Sequence, residues 1–203
     1  MNFKIGKPTD PFIITQGFGV NGGYYQANGI DIKGHNGLDL RAKHGQPVYA
    51  THDGMALYQV DANQGHGVIV ITNEKFDYEG KQIYFKSIYW HLCDPIKEPK
   101  LASPLANKGA LPVKRGDIIG YADNTGFSNS DHLHFGIKPV ALVGESLFTS
   151  GPLLPDNGYK GAIDPMPFLE DPSYTEDIEV KKFLMRQIIS LFQQILNILL
   201  RRK

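Results

Sequence analysis

Cysteine is nearly absent: Cys93 is the sole thiol in 203 residues. No internal disulfide can form, and no metal site built on paired thiolates is available. An excess of charge is missing too, with 21 Lys and Arg against 21 Asp and Glu. No overall field draws nucleic acid or an anionic membrane, so only a local patch could do so. No run of 18 apolar residues occurs, which excludes a helix long enough to cross a bilayer. The first residues, Met1 to Pro8, lack the apolar core of a secretory signal. The expectation is a protein that either acts where it is made or leaves its cell by lysis, in a virion or through another export route.

What is present points to a mainly β chain. Glycine and proline are frequent (22 and 13 residues) and aromatics make up 11%, a composition that suits turn-rich sheets. Residues 11–20 read as a short strand followed by a glycine-rich turn, and short strands are predicted at Pro47–Ala50 and Met55–Tyr58. The last two are separated by His52-Asp53-Gly54, a hairpin signal. Val68–Thr72 is a β-branched run that reads as a buried strand. Ile83–Leu92 and Ile118–Gly120 follow. Residues 21–34 and 94–112 read as loops, and 139–172 as irregular chain. From 173 the composition changes. Glu176, Asp177 and Glu179 stand where a helix begins, and apolar residues then recur at helical spacing to Leu199. The division is therefore a domain over 1–172 and an amphipathic helix over 173–203. Three roles suit that helix: packing or self-association, binding a partner, or lying on a membrane surface.

Chemistry concentrates in two segments a hundred residues apart. In His132-Leu133-His134, strand alternation puts both imidazoles on one face and Leu133 on the other. In His35-Asn36-Gly37-Leu38-Asp39, a turn into a strand would bury Leu38 and Leu40 and aim Asp39 with His35. Catalytic zinc takes three protein ligands and keeps one position for water. His35, Asp39 and His134 supply two nitrogens and a carboxylate oxygen of that kind. His132 and His91 would flank the bound water, to take its proton, stabilise the oxyanion or protonate the leaving amine. The remaining histidines, His44, His52 and His66, read as solvated loop residues. Cys93 reads as a small apolar filler.

These motifs, in this order, resemble the lysostaphin-like zinc endopeptidases that cut peptide cross-links of peptidoglycan. The resemblance is carried by Ile14-Thr15-Gln16-Gly17-Phe18-Gly19, by Gly34-His35-Asn36-Gly37-Leu38-Asp39-Leu40 and by Pro47-Val48-Tyr49-Ala50 with Asp53-Gly54. It continues through Tyr89-Trp90-His91-Leu92, Gly116-Asp117-Ile118-Ile119-Gly120, Thr125-Gly126, His132-Leu133-His134-Phe135 and Asp164-Pro165. It spans roughly residues 11–170 and implies an antiparallel β-sheet groove with zinc on its floor. It also implies His35, Asp39 and His134 as ligands, His91 and His132 as catalytic partners, and peptidoglycan stems or cross-bridges as substrate. Residues 21–34 and 94–112 depart from the family pattern in length.

Two other classes compete. A non-catalytic wall-binding or structural module of a larger assembly would use the same fold without turnover. A lipoyl-type carrier would share the Gly116–Gly120 turn, but no hairpin-tip lysine is present for modification.

Overall fold

The computed structural model describes residues 3–142, 148, 150–155 and 157–170; the helix expected over 173–203 lies outside them. Eleven strands are found among the described residues. They are β1 (Ile14–Gln16), β2 (Leu38–Arg41), β3 (Pro47–Tyr49), β4 (Gly54–Asp61), β5 (Gly65–Ile71), β6 (Phe76–Tyr78), β7 (Lys81–Leu92), β8 (Leu111–Val113), β9 (Ile118–Tyr121), β10 (His132–Leu142) and β11 (Ser150–Pro152). One nine-stranded sheet runs β1-β2-β10-β7-β5-β4-β8, with β11 beside β10 and β6 beside β7. Its paired strands are all antiparallel.

The two long central strands set the division of the sheet into a core face and an open face. On β10 the odd positions Leu133, Phe135 and Ile137 are wholly buried. The even positions, His132 to Lys138, border an open cleft of about 820 Å³. This is the two-residue period of a strand with one face packed. Phe135 meets Tyr89 on the core side at 5.3 Å between centroids. Phe3 stacks on Phe85 at 4.1 Å and ties the chain start to β7. Each such buried ring contributes on the order of 1.5–3 kcal/mol through removal from water.

Three expectations need correction. First, Pro47–Tyr49 does not form a hairpin with Met55–Tyr58. It pairs with β9, while β4 lies between β5 and β8. The Asp53 carboxylate is instead taken by the Arg115 N–H at 2.9 Å and the Lys114 ammonium at 2.8 Å. Gly54 is needed because a Cβ there would run into the Ile71 carbonyl. Second, residues 21–34 include a short helix, α1 (Gly22–Ala27). Third, the stretch after 139 is not wholly irregular, since β10 continues to Leu142 and pairs with β11.

Candidate metal centre and catalytic cleft

Register brings the two chemical segments together. β2 lies beside β10 with Asp39 opposite His134 and Leu40 opposite Leu133. Leu38 and Leu40 are buried below while Asp39 faces the cleft. His35 comes from the turn before β2, four residues ahead of Asp39. Its Nε2 lies 3.0 Å from Asp39 Oδ1 and 2.9 Å from His134 Nδ1. His134 Nδ1 lies 3.2 Å from the same oxygen. Gly37 makes room for this approach: a Cβ there would stand 2.9 Å from His134 Nε2.

This triangle fits a metal ion. Donors about 2.0–2.1 Å from a tetrahedral zinc lie roughly 3.3 Å apart, within a few tenths of an ångström of the observed edges. His35 Nδ1 donates to the Gly17 carbonyl at 3.2 Å, which leaves Nε2 with its lone pair turned inward. Three donor atoms this close to one another could all bind a single cation. Burial would raise the Asp39 carboxyl, but the imidazoles of His134 and His35 beside it outweigh that and hold the group below the ordinary carboxylate range. Burial pushes the His134 imidazole down.

Two further imidazoles stand beside the triangle. His132 faces Asp39, its Nε2 3.6 Å from Oδ1, and its Nδ1 donates to the Ser130 carbonyl at 2.8 Å. His91 lies next to it, with ring centroids 4.6 Å apart. Its Nδ1 donates to the Thr125 carbonyl at 2.6 Å, so its Nε2 is the unprotonated nitrogen. Burial pushes the imidazole down to about 4, which keeps it neutral near pH 7.

Strand alternation alone would send His91 to the core with Ser87 and Tyr89. A β-bulge redirects it. Leu92 pairs with His66 and Trp90 with Gly67, so His91 is the extra residue between them, and its φ is 67°. Trp90 and His91 thereby both border the cleft. Bulges re-aim side chains in this way beside active sites. Gly67 permits it, because a Cβ there would collide with the Trp90 ring.

Sequence reasoning passed over Tyr25. Helix α1 brings its ring parallel to the His35 ring at 6.1 Å, and its hydroxyl accepts from Gln16 Nε2 at 2.7 Å. Burial, reinforced by Asp39, raises the phenol to about 12, so it stays protonated. The signal was the Tyr24-Tyr25 pair in a glycine-rich stretch.

The three histidines read as solvated behave differently from one another. His44 is exposed, as expected, but both its nitrogens are taken, by Glu98 at 2.8 Å and Asp123 at 3.0 Å. With buried Cys93 these form a second group of donor atoms. His66 is half-buried between Tyr58 and Asp94. His52 is 5% exposed, and the solvated reading is wrong for it. Its Nδ1 donates to the Asp53 carbonyl at 2.9 Å, and its Nε2 lies 2.9 Å from Ser87 Oγ.

An antiparallel sheet whose cleft gathers two imidazole nitrogens and a carboxylate, flanked by two more imidazoles, has the layout of a hydrolytic metal centre. Peptidase family M23 matches residues 33–146, over half of the sequence, and the chain belongs to that family. The glycyl-glycine endopeptidase ALE-1 of Staphylococcus capitis is 28% identical over 173 residues, covering 85% of this chain and 35% of that protein. The peptidoglycan DD-endopeptidase ShyB of Vibrio cholerae is 34% identical over 103 residues, covering 51% of this chain and 20% of that protein. The chain thus spans about a third or less of the length of these relatives. Among solved structures, a zinc containing peptidase from Vibrio cholerae superposes with a TM-score of 0.52 at 25% identity, over 79% of this chain and 38% of that one. Lysostaphin from Staphylococcus simulans shares the fold, with a TM-score of 0.50 at 23% identity over 78% of this chain and 49% of that one.

Proposed function

We propose that this chain is a zinc-dependent endopeptidase that hydrolyses peptide cross-links of bacterial peptidoglycan. The observation that carries the reading is the triangle of His35 Nε2, Asp39 Oδ1 and His134 Nδ1, with edges of 2.9–3.2 Å. Family membership and relatives named as wall endopeptidases support the substrate class.

A zinc ion held by these three atoms supplies Lewis-acid chemistry, lowering the pKa of a water and polarising a peptide carbonyl. The protein's own groups handle the protons. His91 is kept neutral by burial and held in one tautomer by Thr125, so its Nε2 accepts a proton from the attacking water. His132, anchored through Ser130, presents Nε2 on the same side; as the imidazolium it delivers a proton to the leaving amine, and the proton taken up by His91 replaces it. Tyr25, held neutral, borders the cleft as a hydrogen-bond donor to a peptide carbonyl.

The test pairs metal analysis of the purified chain with release of new amino termini from purified peptidoglycan. About one zinc per chain and chelator-sensitive release are expected, and mass spectrometry of fragments from several wall types identifies the bond cut. Undiminished release by the variant carrying both His35→Ala and His91→Ala would falsify the proposal.

A further inference from the structure

The cleft floor extends well past the metal centre. Along β10 the face that carries His132 and His134 continues through Gly136 to Lys138. At a strand's rise this places Lys138 about 13 Å from His134. Directly opposite Lys138 on β7 stands Lys86, on the face shared with Ile88 and Trp90. Two ammonium-bearing chains thus face each other across adjacent strands, an arrangement that costs stability by like-charge repulsion.

No ion pair among the described residues offsets that cost. No carboxylate pairs with either side chain; Lys138 Nζ donates to the Lys160 carbonyl at 2.8 Å, and Lys160 borders the same cleft. Two lysines elsewhere in the chain do have carboxylate partners, Lys114 with Asp53 at 2.8 Å and Lys97 with Asp94 at 3.7 Å. The role of lysine in guarding an edge strand does not apply to Lys86, because β7 lies between β10 and β5. The net charge of the chain is zero, so the cluster is not a by-product of a basic protein. Burial, then the neighbouring Lys86 and Lys160, push the Lys138 ammonium down to about 8, a perturbation an anion in the cleft would reverse.

We infer that Lys86 and Lys138 form a carboxylate subsite in the cleft floor, receiving a free carboxylate of the wall peptide about four residues from the bond that is cut. The inference rests on the function proposed above. An extended peptide rises about 3.3 Å per residue, so a chain seated over the metal centre reaches the lysine pair with its fourth residue. Paired ammonium groups recognise a carboxylate by charge-assisted hydrogen bonds. The same chemistry has two sources in a stem peptide, its C-terminal carboxylate and an acidic side chain.

Isothermal titration of the full zinc-loaded chain with stem peptides lacking a cross-link tests this without turnover. Four forms are compared: all carboxylates free, C-terminal amide, side-chain amide, and both amidated. Amidation at one of the two positions is expected to weaken binding about 10-fold or more, and the position identifies the source. In the Lys86→Gln/Lys138→Gln variant the difference between the forms is expected to vanish, and rising salt should erode it in wild type. Thermal melts check that the variant is folded, and single Lys86→Gln and Lys138→Gln variants should each lose part of the discrimination. Equal binding of all four forms to wild type, or discrimination that survives in the double variant, overturns the subsite. A chain that releases amino termini from peptidoglycan yet binds all four forms alike overturns the subsite alone. A chain that neither binds stem peptides nor cuts any wall overturns the proposed function and the subsite with it.

Discussion

A single imidazole on the core face of β7 and a group of imidazoles on its cleft face are wired differently. On the core side, His52 commits both nitrogens, one to the Asp53 carbonyl and one to Ser87 Oγ. Ser87 continues to the Tyr89 hydroxyl at 3.0 Å, which meets Thr51 Oγ1 at 2.7 Å. The network closes on itself, as buried polar groups must when no water reaches them. On the cleft side, His35, His91 and His132 each commit one nitrogen to a backbone carbonyl, of Gly17, Thr125 and Ser130. Their second nitrogens point to a shared space bordered by Asp39 and His134. Burial therefore does not distinguish a working histidine from a structural one in this fold. The uncommitted nitrogen does.

The comparison breaks most severely at the metal triangle. His134→Ala or His35→Ala is expected to take metal content from about one ion per chain to near zero and turnover down by about 10³-fold or more, because the ion supplies several kcal/mol of the barrier reduction. Elemental analysis beside an amine-release assay checks both. His91→Ala and His132→Ala should separate the two properties, keeping the metal while losing roughly 10²–10⁴-fold in turnover, the range for a lost general acid or base. Equal metal loss in His132→Ala and His134→Ala would end the division between ligand and proton carrier. Gly67→Ala should act on position alone. A Cβ there displaces Trp90 and with it the bulge that aims His91, so turnover is expected to fall about 10–100-fold with the metal retained, by the same two measurements.

Much of the cleft was legible because it depends on strand periodicity. His132-Leu133-His134 and Leu38-Asp39-Leu40 alternate polar with apolar, so their shared face follows from the chain alone once they are strands. The pairing of Asp39 with His134 joins residues 95 apart, and ligand chemistry, then the recurrence of several family motifs in order, tied them together. His91 was read as flanking the site, but the means of its placement was not legible, because it violates the period: a bulge is one unpaired residue, and its signal, Gly67, sits on the neighbouring strand. The false hairpin at Asp53-Gly54 has a related origin. A turn dipeptide was read locally, whereas Gly54 answers to the Ile71 backbone and Asp53 to Lys114 and Arg115. His52 was misread for the same reason, since the side chains packed against it, Ser87 and Phe3, lie more than thirty residues away.

The core histidine gives the mildest test and the cleanest contrast with the cleft. Burial pushes the His52 imidazole down to about 4, against about 6.5 in an unfolded chain. Between those values the unfolded state binds more protons than the folded one, so stability rises with pH across the interval and falls as acid is added. The gap corresponds to a loss of about 3 kcal/mol at most, absent above about pH 7 and complete only below about pH 4. In urea titrations of the metal-free chain, the fall in midpoint from pH 7.5 to 4.5 should be smaller for His52→Gln than for wild type. The absolute stability of the variant at pH 7.5 is not the readout, since glutamine itself disturbs the network with Ser87. An unchanged pH slope in His52→Gln would show that the acid sensitivity resides in the cleft imidazoles, His91 foremost, whose own depressed value acts over the same interval.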